Sequence, residues 1–293
     1  MTKIMTRARL SVAALGVAAI AAGAAISGCG ASNAIDPVAK AADLSTATPG
    51  FRMSMTMHIS TPALPSGITA TGTGAFDPSA HTGRFAMTMA LPGSGAVRQV
   101  FGSSGLHLEE VLKGTTVYVK LPAALAARIP GASSRPWLKV DLSKLGGQGS
   151  ALSSLTSNPV SGDPSQLLQY LRGSGGMTKV ATEQVTGRST THYRGHVSLD
   201  QVASRVPAAS RQALTHAISM LESQGFPKQL PVDVWVDGQG LVRQMQLKMS
   251  ASPSGQPLAM TIRVTIPQYG PQPAPAVPPA SQVSNPSGAL GSL

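Results

Sequence analysis

The sequence predicts an α+β fold built on one large, curved antiparallel sheet or barrel. Three observations predict it. Many segments of five to ten residues alternate apolar and polar side chains with period two, the pattern of half-buried strands. Short Gly- and Ser-containing turns separate them, as in a meander. A few segments with helical spacing interrupt the strands, at Asp36 to Leu44, Pro122 to Ile129, Pro164 to Arg172 and Leu199 to Gln224.

The chain opens with a different signal. Lys3, Arg7 and Arg9 form a basic region, and Leu10 to Ile26 is apolar and rich in small residues. This is the layout of a secretory signal. Ile26-Ser27-Gly28-Cys29 follows and resembles a bacterial lipobox, the cleavage and lipidation signal of lipoproteins. The resemblance implies removal of residues 1–28, palmitate-type acylation at Cys29, and a lipid anchor on the extracytoplasmic face of the cell membrane. Two or three acyl chains, at roughly 0.8 kcal/mol per buried CH₂, hold a protein stably in a bilayer. The competing reading is a transmembrane helix, because the run is about the minimum length that spans. Basic region, small residues and cysteine stand in the order of the lipoprotein signal.

Cys29 is the single cysteine, so acylation leaves no thiol for a disulfide, redox motif or thiolate metal site. The formal net charge is +11, and three of the positive charges go with the signal. The remaining basic residues are scattered, as at Arg98, Lys113, Lys120, Arg128 and Lys144. An exported chain with 4% aromatics and no recognised motif argues against nucleic acid. The charge reads as a solvated surface or as attraction to anionic lipid headgroups.

The elements follow in order. Residues 29–35 are a lipidated spacer. Asp36-Pro37 is an N-cap with proline at N1, opening a helix to about Leu44. Phe51, Met53, Met55, Met57 and Ile59 share one face of a strand. Ile68 to Phe76 is a strand whose glycines predict bending or close approach. Phe85, Met87, Met89 and Leu91 alternate again, then Val97 to Phe101, Leu106 to Leu112 and Thr115 to Leu121, with Val117, Val119 and Leu121 inward. Pro122 to Ile129 is a short helical excursion and Trp137 to Asp141 a strand. Leu142 to Gly162 is a Ser/Gly-rich loop, and Pro164 to Arg172 a short amphipathic helix.

The second half repeats the plan. Lys179–Val185 and Thr190–Val197 pair across Thr186-Gly187-Arg188. A helical block, Leu199 to Gln224, breaks at Pro207 and ends at a Gly225 cap. Leu214, Ala217, Ile218 and Leu221 share a face, read as fixed core packing or as a lid. Val232–Val236 and Leu241–Met249 form a hairpin, and Leu258–Ile266 is the last strand. The Pro/Ala/Ser-rich residues 268–293 read as a disordered tail.

The stretches Val117-Tyr118-Val119-Lys120-Leu121-Pro122, Pro136 to Asp141, Thr190 to Gly195 and Pro231 to Asp237 resemble actinobacterial lipoproteins of the LppX/LprG type, in the LolA/LolB-like superfamily. The resemblance covers most of residues 35–267. It implies a LolA-like domain over 36–267: an open antiparallel half-barrel with helices over its concave face. It also implies an apolar cavity that binds and carries a lipid or acylated glycolipid, and an envelope transport partner protein. It brings no catalytic residue.

A carrier needs an adaptable apolar lining. The candidates are Met53, Met55, Met57, Phe85, Met87, Met89, Val117, Val119, Leu214, Ile218, Leu221, Val234, Met245 and Met249. Methionine is flexible and polarisable and re-packs around variable partners. The bland reading is a closed core filled by the same residues. His192 and His196 have zinc-pair spacing for a helix, but four strand residues span roughly 13 Å, so they read as a surface pair. His58, His81, His107 and His216 lie in no Cys or carboxylate cluster. Glu109 and Glu110 are adjacent in a strand and point to opposite faces. Trp235, between Asp233 and Asp237, falls on the face opposite Val232, Val234 and Val236. No Gly-x-Ser-x-Gly elbow, Ser-x-x-Lys pair or dinucleotide fingerprint occurs.

The sequence therefore predicts a non-enzymatic, membrane-anchored lipid carrier with no cofactor and no metal. The alternative is a non-carrier envelope scaffold or sensor on the same fold with its core filled.

Overall fold

A computed structural model of the chain describes residues 36–62, 64–90, 105–126, 133–141, 168, 170–205, 208–223, 225–252 and 255–284. The signal, Cys29, the spacer, the Val97–Phe101 strand and the Leu142–Gly162 loop lie outside them, as does most of the Pro164–Arg172 helix.

The described strands form one twelve-stranded open sheet. They are β1 (Phe51–Thr61), β2 (Leu64–Asp77), β3 (Thr82–Ala90), β4 (Leu106–Lys113), β5 (Thr116–Lys120), β6 (Trp137–Asp141), β7 (Ser174–Val185), β8 (Arg188–Ser198), β9 (Gln229–Asp237), β10 (Val242–Ala251), β11 (Leu258–Tyr269) and β12 (Val283–Ser284). Their order is β12-β6-β5-β4-β3-β2-β1-β11-β10-β9-β8-β7. Every pairing is antiparallel except β12 with β6, which is parallel. β1 is flanked by β2 and β11, so the two meanders meet at one central strand.

The helices are α1 (Pro37–Thr46), α2 (Ala123–Ala126), α3 (Leu199–Arg205) and α4 (Ala208–Ser223). Asp36 caps α1: its Oδ1 accepts from the Val38 amide at 2.8 Å and the Ala39 amide at 3.4 Å. α3 ends at Arg205 and α4 begins at Ala208; Pro207, the predicted break, lies outside the described residues. Gly225 (φ +83°) ends α4 in a Schellman motif, with Gly225 N donating to Glu222 O and Phe226 N to Leu221 O. The β7–β8 hairpin turns through Thr186 and Gly187, both at positive φ. None of the described helices is long and apolar enough to cross a membrane.

One face of the sheet carries the core. Alternation sends Phe51, Met53, Met55 and Met57 of β1 to the same side as Phe85 and Met87 of β3, Met245 of β10, Val234 of β9 and Val264 of β11. Val38, Ala41 and Ala42 of α1 and Val202 of α3 join the same buried cluster. α1 packs against β7, β9 and β10, and α3 against β8.

Between Ile68 and Phe76, β2 contributes almost no side-chain volume to this face. Gly74, Gly72 and Ala70 stand between Met53, Met55 and Met57 on one side and Phe85, Met87 and Met89 on the other. The space is taken by neighbouring rings. A Cβ on Gly72 would lie 2.5 Å from Phe85 Cζ, and one on Gly74 would lie 2.6 Å from Phe76 Cε2. The predicted close approach is thus a pair of phenylalanine rings laid over a glycine floor.

Of the tail expected to be disordered over 268–293, residues 268–284 are described, and 285–293 lie outside the described residues. β11 continues through Pro267 to Tyr269, and after a 3₁₀ turn at Ala280–Gln282 the chain pairs as β12 with β6. Gln272 accepts from Arg52 Nε at 3.0 Å, and Ser284 Oγ donates to Trp137 O at 3.1 Å. Composition counts the apolar area a segment brings. It does not count the edge hydrogen bonds that an extended, proline-stiffened chain makes to a waiting strand.

The glycine floor makes a stability prediction. Gly72→Val should cost about 2 kcal/mol or more through overpacking against Phe85. Gly238→Ala, where an added Cβ meets nothing within 4 Å, should stay within about 0.5 kcal/mol of wild type. Urea midpoints measure both. Equal, small changes at the two sites would contradict the close approach.

Candidate functional site

The candidate site is the core face of the sheet, described row by row across the strands. One row runs Val119–Glu110–Phe85–Gly74–Met53, the next Leu108–Met87–Gly72–Met55–Val264–Met245–Val234, and the next Leu106–Met89–Ala70–Met57–Ile262–Leu247. A further row holds Ile68, Ile59, Met260 and Met249.

Burial divides this face. Met53, Met55 and Met57 are each 3% exposed and Met245 1%, with Phe85, Met87, Val117 and Val234 also buried. Met89, Val119 and Met249 are half-buried, as are Leu106, Leu108, Ile59, Ile68 and Met260 beside them. All the candidate lining residues except Leu221 are buried or half-buried, and those on strands share the core face. On α4, Ile218 is buried and Leu214 half-buried, but Leu221 is 40% exposed and lies outside the cluster. The buried stripe ends a turn before the helix does, because Leu221 already belongs to its C-terminal cap.

Glu110 interrupts the apolar face. Its register partners are Phe85 and Val119, and Leu108 and Leu112 flank it along β4. It makes no hydrogen bond or ion pair with any described residue. Burial pushes its carboxyl up to about 7. Glu109 points the other way, as predicted, and pairs with Arg84 and with Lys120 Nζ at 3.2 Å. Burial raises the Glu109 pKa, but the Lys120 and Arg84 hydrogen bonds outweigh it and hold it low.

The opposite face holds a polar cluster that the sequence reading placed on the surface. His192 is 5% exposed, not part of an exposed pair with His196. Its Nδ1 lies 3.0 Å from Glu183 Oε1 and its Nε2 2.8 Å from Asp233 Oδ1. The ring stacks on Trp235 with centroids 4.3 Å apart, and Trp235 Nε1 donates to Glu183 Oε2 at 2.7 Å. Arg194 Nε donates to Asp233 Oδ1 at 2.8 Å. Burial works against the Asp233 carboxylate, yet Arg194 and His192 hold its pKa below the usual range. Long side chains on β7 and β9 close over β8, which is why an outward histidine is buried. Counting back from the Thr186-Gly187 turn would have aligned Thr190 with Glu183 and exposed this signal.

At the sheet's end, Asp237 binds the Gln239 and Leu241 amides at 2.9 and 3.0 Å and accepts from buried Arg243 Nε at 2.6 Å. Tyr269 packs over that guanidinium, donates to Val242 O, and has its phenol pushed up by burial. This cluster clasps the β9–β10 turn to β11. Among the described residues no group of three His, Cys, Asp or Glu is placed to hold a metal ion.

Among solved structures, the chain is similar to the Mycobacterium tuberculosis lipoprotein LppX, at 14% identity over 82% of this chain and 96% of that one, with a TM-score of 0.44. It is similar to LprF from Mycobacterium bovis at 11% identity over 82% and 94%, with a TM-score of 0.39. A DUF1329 family protein from Desulfovibrio piger follows at 11% identity over 82% and 92%, with a TM-score of 0.30. No family model matches the chain, and no curated protein matches it.

Glu110 gives the site a pH signature. Its folded pKa lies above the unfolded value of about 4.3, so the fold holds a proton that the unfolded chain releases. Stability should fall as pH rises from about 4.5 through about 7 and level off above. Glu110→Gln should remove this slope and exceed wild type above pH 7, by at most about 4 kcal/mol at 1.36 kcal/mol per unit. Urea midpoints at about pH 5 and about pH 8, on either side of the folded value, check it. An advantage of the Glu110→Gln variant that is equal at both pH values would contradict it. The lowered carboxylates Glu109, Asp233 and Asp237 act in a separate window below about pH 4.

Proposed function

We propose that this chain is a lipid-binding module tethered by an acylated Cys29 to the extracytoplasmic face of a membrane, and that it carries acyl chains against the core face of its sheet. One observation carries the reading. The core face is apolar across most of the sheet, yet a continuous part of it, from Ile59, Met260 and Met249 to Met89, Leu106 and Leu108, keeps solvent-accessible area. Apolar surface that is reachable but sheltered is what an acyl chain needs, at about 25 cal/mol for each Å² it buries there.

Curvature of the open sheet into a half-barrel, with α1, α3 and α4 over its concave side, belongs to this proposal. So do the anchor, the short spacer holding the domain near the bilayer, and an envelope protein that takes the cargo. The methionines suit the role because they re-pack around chains of different length. The lining comprises the candidate residues named above apart from Leu221.

A second reading also has an observation behind it. Met53, Met55, Met57 and Met245 are packed as tightly as any closed core. An envelope scaffold with a filled interior would show the same burial there.

Transfer of a fluorescent acyl lipid between two vesicle populations separates the readings. The full acylated chain should accelerate transfer, and Met89→Asp or Leu108→Asp should lower the rate at least about fivefold with the fold retained. No acceleration by wild type, together with crosslinking to one stable protein partner, would favour the scaffold.

A further inference from the structure

On the core face of β3 to β6 every described residue except Glu110 is apolar or glycine. A carboxyl in that position is costly when it is left without a partner. Its neighbours across the sheet are Phe85 and Val119, which offer no hydrogen bond, and the cations nearest in sequence, Lys113 and Lys120, sit on the outer side of their strands. Its opposite number Glu109 shows what a satisfied carboxylate looks like in this sheet, held by both Arg84 and Lys120. Glu110 is also only half-buried, within the accessible part of the face and one row from Leu108. It is therefore without a hydrogen-bond partner among the described residues, and reachable.

We infer that Glu110 is a ligand-binding residue, whose carboxyl takes the hydroxyl of an uncharged lipid while the acyl chains lie on the apolar rows beside it. This rests on the lipid-binding reading and narrows it to a class. A carboxyl held near neutrality offers both an acceptor and a donor, the complement of an alcohol. An anionic headgroup is repelled from it. An ammonium would suit the carboxylate, but in a phospholipid it arrives with a phosphate that the described residues of this wall offer no cation to meet. A hydroxyl satisfies the buried group and brings no charge. Sites built to bond a buried hydroxyl discriminate strongly against the analogue that lacks it.

Photocrosslinking in vesicles tests the assignment. The full acylated chain is placed in phosphatidylcholine vesicles carrying a diazirine-labelled diacylglycerol or its 3-O-methyl ether, which keeps both chains and loses the donor. Labelling is read on the tryptic peptide ending at Lys113. Wild type should label at least about fivefold more with the free hydroxyl. Glu110→Leu should bring the ratio to about one by losing the hydroxyl-dependent part, and Glu110→Gln, which still hydrogen-bonds, should keep a preference. A glucosyl diacylglycerol probe beside them distinguishes a sugar hydroxyl from a glycerol one, and preference for either over the ether supports the inference. Equal labelling by alcohol and ether in wild type overturns the role of Glu110 and leaves the lipid reading standing. Labelling of the core face by neither probe overturns both.

Discussion

The pairing of β1 with β11 is the constraint on which the rest depends. It joins Phe51 to Tyr269 and Met57 to Ile262, pairing the first strand with the eleventh. Without it each meander would end in an unpaired strand, and the core face would be two separate patches. With it, the methionines of β1 lie between glycine-floored β2 and the Val/Ile strand β11, and a single apolar surface results. Such a contact closes a long loop, so it costs entropy that only the burial around it offsets. The Asp237–Arg243–Tyr269 clasp stands beside this seam and holds β9, β10 and β11 in mutual register.

Each face of the sheet follows from that seam in its own way. On the core face, large residues on β1 and β3 meet small ones on β2, which lets Phe76 and Phe85 lie close to the backbone. On the outer face, polar residues are long enough to satisfy each other, and His192 is buried among Glu183, Asp233 and Trp235. Buried polar groups with partners stabilise a register; one on an apolar face without a partner among the described residues calls for an explanation. The contrast between Glu109 and Glu110, adjacent in sequence and opposite in surroundings, is the sharpest instance in the molecule.

Much of this was legible in the chain. Period-two alternation located β1, β3, β6 and β9 to within a few residues, and Asp36-Pro37, Pro207 and Gly225 marked helix ends that the structure bears out. The lining methionines could be assigned to one face because strand alternation is strict. What local pattern could not supply was which strands are neighbours. The burial of His192 depends on β7 and β9 flanking β8, and the isolation of Glu110 on β3 and β5 flanking β4. The β12 edge strand is two residues in a proline-rich segment, too short to carry a period. Leu221 fitted the apolar stripe of α4 by spacing alone, but spacing does not say where the buried part of a helix face stops.

Native mass spectrometry of the full acylated chain, taken from its membrane and released gently from detergent, tests the central claim most directly. If acyl chains occupy the core face, the spectrum shows the covalently lipidated chain plus a non-covalent adduct of lipid mass that leaves on collisional activation. Met89→Asp should lose that adduct while keeping the covalent mass. A spectrum with the covalent mass alone in wild type, under conditions that preserve the fold, would contradict the account.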